Sequence, residues 1–313
     1  EQQHKKLAEQ FELEATTRKS NSLILMNNLF DKIEEDLKSH PKRMLSDEMI
    51  ERIAALNYSF EPYQYFDGEK FSEKKWSRER GQLLLSLAKM KIDTSSFNQI
   101  KSKVSFLGAD LKNANLAGAD LSNTDLREAN FDHANLVGAN LSKANLEKAS
   151  MQKANLSEAK LNETNLKNST LQWTEFQAAE LAGVFLNGAN LSNAKLRKVD
   201  LIGADLRWAN LSNVFLTGAN LSNANLLETN LSQTNLEQAN FTEANLITTV
   251  FNGANLTGAN LTEANLLAAK VEEDWLEKLD KWQVIGAKEI QASYKIGEDA
   301  LPQYQYKLLK IKK

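Results

Sequence analysis

The sequence predicts a repeat solenoid set between helical flanks, and three observations carry that reading. From Phe106 to Val271 a large apolar residue returns at every fifth position without a break, through Leu111, Leu116 and Leu121 and on to Leu261 and Leu266. Two residues ahead of each of these centres stands a small side chain, usually alanine, as at Ala109, Ala114 and Ala119. The residue directly ahead is Asn or Asp at most sites, among them Asp110, Asn115, Asn140 and Asn260. A period of five fits neither the 3.6 of an amphipathic helix nor the 2 of a half-buried strand, which leaves an internal-repeat architecture. The backbone has to turn about every five residues while the same two positions keep facing inward. The small residue lets the chain pass close to the axis, the large one fills the interior, and Asn or Asp tolerates the turning backbone and bonds to it locally. Each buried centre contributes roughly 1.5–3 kcal/mol before entropy is subtracted, so charge at a centre is the most damaging substitution.

Residues 1–103 read as a helical domain that also closes the first edge of the solenoid. Leu7, Phe11, Leu23, Met26, Leu29, Phe30, Ile33 and Leu37 recur at helical spacing over much of the first forty residues, most clearly from Leu23 to Leu37. The polar stretch from Glu1 to Ser20 is either a stalk or a frayed terminus. Pro41 ends this helix, and Ser46 with Asp47 and Glu48 behind it caps a second, whose apolar face is Met49, Ile50, Ile53 and Leu56. An aromatic loop follows with Phe60, Tyr63, Tyr65, Phe66 and Phe71, and Gly68 as its turn; packing between helices accounts for it better than a binding groove does. Ser77 caps a third helix through Leu83, Leu84, Leu85, Leu87 and Met90, and Asp93 caps a short turn into the repeat. After Val271 the period stops. Trp275, Leu276, Leu279 and Trp282 are spaced for an amphipathic helix, and a solenoid has to cover its last coil, so residues 272–313 are expected to cap it. Gly286 and Gly297 bracket a second short helix with Ile290 and Tyr294, and Tyr304, Tyr306 and Leu308 alternate as in a strand.

Between Val104 and about Val271 the chain resembles the pentapeptide-repeat family, whose pattern is Ala, Asp or Asn, Leu, and two variable residues. The stretches ADLKNANLAGADLSNTDL from Ala109 to Leu126 and ANLTGANLTEANL from Ala254 to Leu266 match it as they stand. The resemblance implies a mainly β fold, a right-handed four-sided parallel β-helix with four pentapeptides per coil. About eight coils at ~4.8 Å between stacked strands make a rod about 40 Å long. Departures fall mostly at the polar position, at Ser105, Ser150, Lys160, Thr170, Glu175, Glu180, Phe185, Lys195, Phe215, Val250 and Lys270, which the family points outward. The stretch RGQLLLSLAKMKIDTSSF, Arg80 to Phe97, is similar to a region of bacterial membrane-tethered members. That likeness implies an anchor ahead of Glu1 and a part here that faces the cytoplasm. Within the sequence itself, no apolar run approaches the ~20 residues needed to cross a bilayer.

With twenty residues per coil, residues twenty apart stack. On the face that holds Leu186, Leu206, Leu226, Leu246 and Leu266, the outward positions carry Phe185, Trp208, Leu227, Ile247 and Leu267 in successive coils, whereas the same face earlier offers Arg127, Glu147 and Lys167. An apolar ridge of that size marks a contact. Either residues 272–313 fold back over it, or a partner or a second copy binds there. The terminal Lys310, Lys312 and Lys313 suit a solvated tail better than an acidic lipid surface.

Chemistry is sparse. His4, His40 and His133 lie far apart, no spacing suggests a metal site, and no nucleophile elbow, phosphate loop or dinucleotide fingerprint occurs. Neither catalytic residues nor a cofactor is expected. The absence of cysteine excludes disulfides and thiolate sites. A net charge of −3 argues against nucleic acid as a partner. Two functions stay in view. One is a non-catalytic protein–protein interaction or scaffolding module. The other follows from the resemblance, since some members mimic duplex DNA and act on DNA gyrase. Such a mimic needs continuous negative stripes, and between Val104 and Lys270 there are 16 acidic and 12 basic residues, a net of −4, interspersed at sites such as Lys143, Lys148 and Lys153.

Overall fold

A computed structural model describes residues 2–64, 74–299 and 306–311. The repeat forms through one local device applied at every step. The N–H of the small residue three positions after a centre returns to the carbonyl of that centre, as from Ala109 to Phe106 at 2.9 Å and from Ala204 to Leu201 at 3.0 Å. The third residue of each such turn carries positive φ, whether glycine (Gly203, 65°), Asn213 (59°) or Trp208 (59°), as the corresponding position of a type II turn demands. Glycine takes this geometry without penalty and Asn readily, while other side chains adopt it at a cost that the surrounding register must offset.

Successive turns stack through the backbone. Parallel bridges join residues twenty apart along the whole rod, from Ser105 with Asp125 to Val250 with Lys270, so each coil takes twenty residues. The Asn side chains add a second ladder. Asn245 Oδ1 accepts the N–H of Ile247 at 3.3 Å, and its Nδ2 donates to Asn225 Oδ1, one coil back, at 3.0 Å. Inside, the centres from Leu121 to Phe251 are essentially inaccessible. Where Thr replaces the small residue, its hydroxyl is bonded: Thr164, Thr174, Thr229, Thr234 and Thr249 each donate to a carbonyl 23 residues earlier, at 2.7–2.8 Å. A buried polar group is thus satisfied without disturbing the stack.

The N-terminal flank contains α1 (Gln2–Ser39), a 3₁₀ turn (Pro41–Arg43), α2 (Asp47–Ser59), α3 (Arg78–Lys89) and α4 (Thr94–Lys103). Ser46 and Ser77 cap α2 and α3 as expected, accepting from Met49 N and Arg80 N. Asp93 caps a ten-residue helix, α4, and not the short turn expected, because its carboxylate holds Ser95 N and Ser96 N and so starts a full helical ladder. Met26, Leu29, Ile33 and Leu37 pack inward from α1, but Leu23 is exposed. Within the aromatic loop Phe60 is buried, while Tyr65, Phe66, Gly68 and Phe71 lie outside the described residues. Ser77 supplies the missing strand edge: its N–H donates to Gly108 O at 2.7 Å and its carbonyl accepts from Asp110 N at 2.8 Å. Trp76 Nε1, Asn57 Nδ2 and Arg80 add bonds to Glu128 O, Ser105 O and Leu107 O.

At the other end come β1 (Lys270–Val271), α5 (Trp275–Lys281), α6 (Ala287–Ser293), β2 (Tyr294–Glu298) and β3 (Tyr306–Lys310). Trp275 and Leu279 are fully buried, Trp275 against Phe251 with ring centroids 6.0 Å apart, and Leu276 and Trp282 are partly buried on the same core. Ile285 continues the coil, accepting from Leu261 N and donating to Ala259 O. Strand β3 lies between β1 and β2, antiparallel to both. The short helix expected between the two glycines ends at Ser293. Gly297 and Tyr294 belong to β2, where Gly297 pairs with Lys307 and leaves room that a Cβ would take from Leu309. Tyr306 and Leu308 lie in β3, and Tyr304 falls outside the described residues.

The junction of α3 with the first coil can be tested at Gly81, where a Cβ would lie 2.0 Å from Asp110 O. Gly81→Ala is expected to lower the thermal midpoint clearly. Gly203→Ala, with open space around it but φ +65°, should cost only about 1 kcal/mol. Equal midpoints in the two variants, measured by circular dichroism, would contradict the described docking.

Candidate interaction surface

Outward side chains come from three positions of each pentapeptide: the one before the centre and the two after it. Leu227, Ile247 and Leu267 occupy one vertical column, since Glu228 N bonds to Ile247 O and Thr248 N to Leu267 O. Arg207 stands next below, because Trp208 N bonds to Leu227 O. Trp208 occupies the neighbouring turn position, and Phe185 belongs to the column that continues into Asp205. The five ridge residues thus share one face but three columns. Phe185 (41%), Trp208 (52%) and Leu267 (41%) are exposed, and Leu227 and Ile247 are half-buried between their neighbours.

Cations cover the aromatic members. Lys167 Nζ lies 5.4 Å from the centroid of Phe185, and the Arg207 guanidinium 5.2 Å from that of Trp208. Arg207 is itself held by two hydrogen bonds to Asp205, Nε to Oδ1 at 2.8 Å and Nη2 to Oδ2 at 2.7 Å. The Arg207 hydrogen bond, working against partial burial, holds the Asp205 carboxyl below the usual carboxylate range. A preorganised Arg over an exposed Trp is the composition that concentrates binding energy at protein interfaces. Phe215, expected to point outward, is exposed, with Arg197 5.2 Å from its ring, and two further exposed apolar residues escaped the sequence reading as surface features: Trp173 and Ile202. Their signal was available, since each is a large apolar residue at an outward position.

Several acidic groups on the rod are paired. Asp120 meets Lys101 at 3.0 Å, Asp125 meets Arg127 at 2.8 Å, Glu175 meets Lys195 at 2.6 Å and Glu163 meets Lys143 at 3.6 Å. His133 is exposed, and among the described residues no group of His, Asp and Glu could hold a metal ion. No helix among them is long and apolar enough to cross a membrane.

A rod of stacked twenty-residue coils, capped at both ends and displaying its variable residues outward, defines a repeat solenoid. The family pattern described as pentapeptide repeats matches residues 105–142, 139–177, 174–213, 200–238 and 239–273, in 8 copies, and the chain belongs to that family. Among solved structures, it is similar to trypsin-treated QnrB1, a plasmid-mediated fluoroquinolone resistance protein, at 20% identity over 56% of this chain and 87% of that one, with a TM-score of 0.48. HetL, involved in heterocyst differentiation regulation in the cyanobacterium Nostoc, is 30% identical over 57% of this chain and 97% of its own, with a TM-score of 0.28. A pentapeptide repeat protein of the Arabidopsis thaliana thylakoid lumen is 29% identical over 38% and 73%, with a TM-score of 0.23. No curated protein matches the chain.

The Asp205–Arg207 pair has a pH signature. A carboxyl depressed in the folded state stabilises fully above its unfolded pKa of about 3.9 and loses that contribution as pH falls through the folded value. Asp205→Asn should therefore lower stability at pH 7, with the difference from the parent shrinking below pH 4. Urea titrations at both pH values check this, and a difference that grows in acid would contradict it.

Proposed function

We propose that the chain is a non-catalytic protein–protein interaction or scaffolding module, whose contact surface is the ridge formed by Phe185, Trp208, Leu227, Ile247 and Leu267. The observation that carries this reading is an outward apolar column, exposed at Leu267 and half-buried at Leu227 and Ile247, beside a fixed Arg207–Trp208 stack, on a rod that has no need of either for its core. On this reading residues 1–103 form a helical domain, residues 104–271 a right-handed, four-sided β-helix of about eight coils, and residues 272–313 its cap. The likeness of Arg80 to Phe97 to membrane-tethered members supports a cytoplasmic part held at a membrane. The 12 basic residues interspersed among 16 acidic ones between Val104 and Lys270, some of them paired as Lys195 is with Glu175, weigh against the duplex-DNA mimic, which depends on continuous negative stripes.

The test is the full chain with Trp208→Asp and Ile247→Asp together. The expected outcome is loss of protein partners in a pull-down, or of self-association in sedimentation, with the thermal midpoint little changed. Retention of every partner and of the oligomeric state would overturn the proposal. So would a large loss of stability, which would show a ridge covered within the chain.

A further inference from the structure

A second face of the rod differs from the ridge in kind. Thr170, Asn190, Asn210, Asn230 and Val250 are bridged one above another. The next column holds Gln172, Ser192, Ser212, Ser232 and Asn252, and the one after it Trp173, Asn193, Asn213, Gln233 and Gly253, each joined to the coil above by bonds such as Asn193 N to Ser212 O. None of these fifteen positions is charged, in a chain that is 25% charged overall. The neighbouring faces are not like this: over the same coils one carries Glu175, Lys195, Arg197, Lys198 and Glu237, and the other Lys167, Asp205, Arg207 and Glu228.

The chemistry of the face is ordered. Asn190, Asn210 and Asn230 each turn Oδ1 to the N–H of the Ser two residues on, at 3.0–3.1 Å, and Asn230 Nδ2 donates to Asn210 Oδ1 at 3.3 Å, which fixes the amides in a row along the surface. At the two ends of the middle column, Gln172 Oε1 and Asn252 Oδ1 are screened from solvent and meet no donor. Both amides gain by turning to a hydroxyl-bearing ligand. Trp173, at one corner, is 56% exposed, and among the described residues no cation lies over its ring, unlike those of Phe185, Trp208 and Phe215.

We propose that this face binds an extended, uncharged, β-1,4-linked glycan, with Trp173 as the stacking platform and the Asn and Ser rows as hydrogen-bonding partners. An uncharged surface has nothing to offer phosphates or acidic lipids, whose binding runs on Lys and Arg. Apart from Trp173 at its corner, it also lacks the exposed aromatic and Arg anchors of protein interfaces. A pyranose presents what the face accepts: a C–H surface for an indole ring, and hydroxyls that donate and accept. Two coils advance about 9.6 Å at the spacing of stacked strands, close to the repeat of an extended disaccharide, so successive sugars meet equivalent rows.

The experiment titrates the full chain by calorimetry with cellohexaose and hexa-N-acetylchitohexaose, with maltohexaose, whose chain curls, as the control. At least one of the first two is expected to bind more tightly than maltohexaose. Trp173→Ala should weaken that binding at least ten-fold, and Ser212→Glu with Asn213→Glu should abolish it. Ile247→Asp, on the ridge, should leave it unchanged, which separates this inference from the ridge proposal. Absence of binding to both extended hexasaccharides would overturn the assignment, as would an unchanged affinity in Trp173→Ala. So would sedimentation showing that the Glu pair dissolves a dimer, since the face would then be a contact between copies.

Discussion

Everything in the rod depends on the backbone register between coils. Because one residue in each pentapeptide is bridged to the residue twenty positions on, the small, polar and large positions of one coil fall on those of the next, and a shift of one residue would drive polar side chains inward at every step. The register in turn rests on a turn that closes every fifth residue through positive φ. Trp208, Gln233 and Lys143 adopt this conformation although their side chains do not favour it, because neighbouring coils fix the geometry on both sides. The Asn ladders reinforce the same spacing from outside.

Most of this architecture was legible, since a period of five repeated so often leaves little freedom. The centres, the small inward residues and the outward variable positions were all fixed by counting. The left-handed third position was equally present in the sequence, as Gly203, Gly218 and Gly258 at one place in the pattern with Asn123, Asn193 and Asn213 sharing it, but attention to the apolar period passed over it. Aperiodic features were harder. Ser77 could be recognised as a helix cap, yet nothing local reveals that its backbone also serves as the first parallel strand edge. The difference between a short turn and α4 after Asp93 lay in packing of Phe97 and Ile100 against the core, which local spacing underspecified.

The surface followed a similar division. Stacking at twenty residues placed Leu227, Ile247 and Leu267 in one column from sequence alone. The cation beside each aromatic ring was not legible, because Lys167 and Phe185 are eighteen positions apart and come together only through the coil. Arg207 is adjacent in sequence to Trp208, but its orientation over the ring depends on the fork of hydrogen bonds from Asp205. Exposure alone would describe that ridge as greasy. The geometry makes it a set of aromatic faces with positive charge held beside them.

The strand edge offered by Ser77 has a consequence for how the molecule comes into being. Each coil needs only the twenty residues before it, and the first needs only a flank that is already synthesised. Structure can therefore accumulate in the order of translation, one coil at a time on a ready template, with no distant partner to await. Ile285 and β3 follow the last coil and terminate the growing end, so the interval in which an open edge could recruit a neighbouring chain lasts until those two segments have been synthesised.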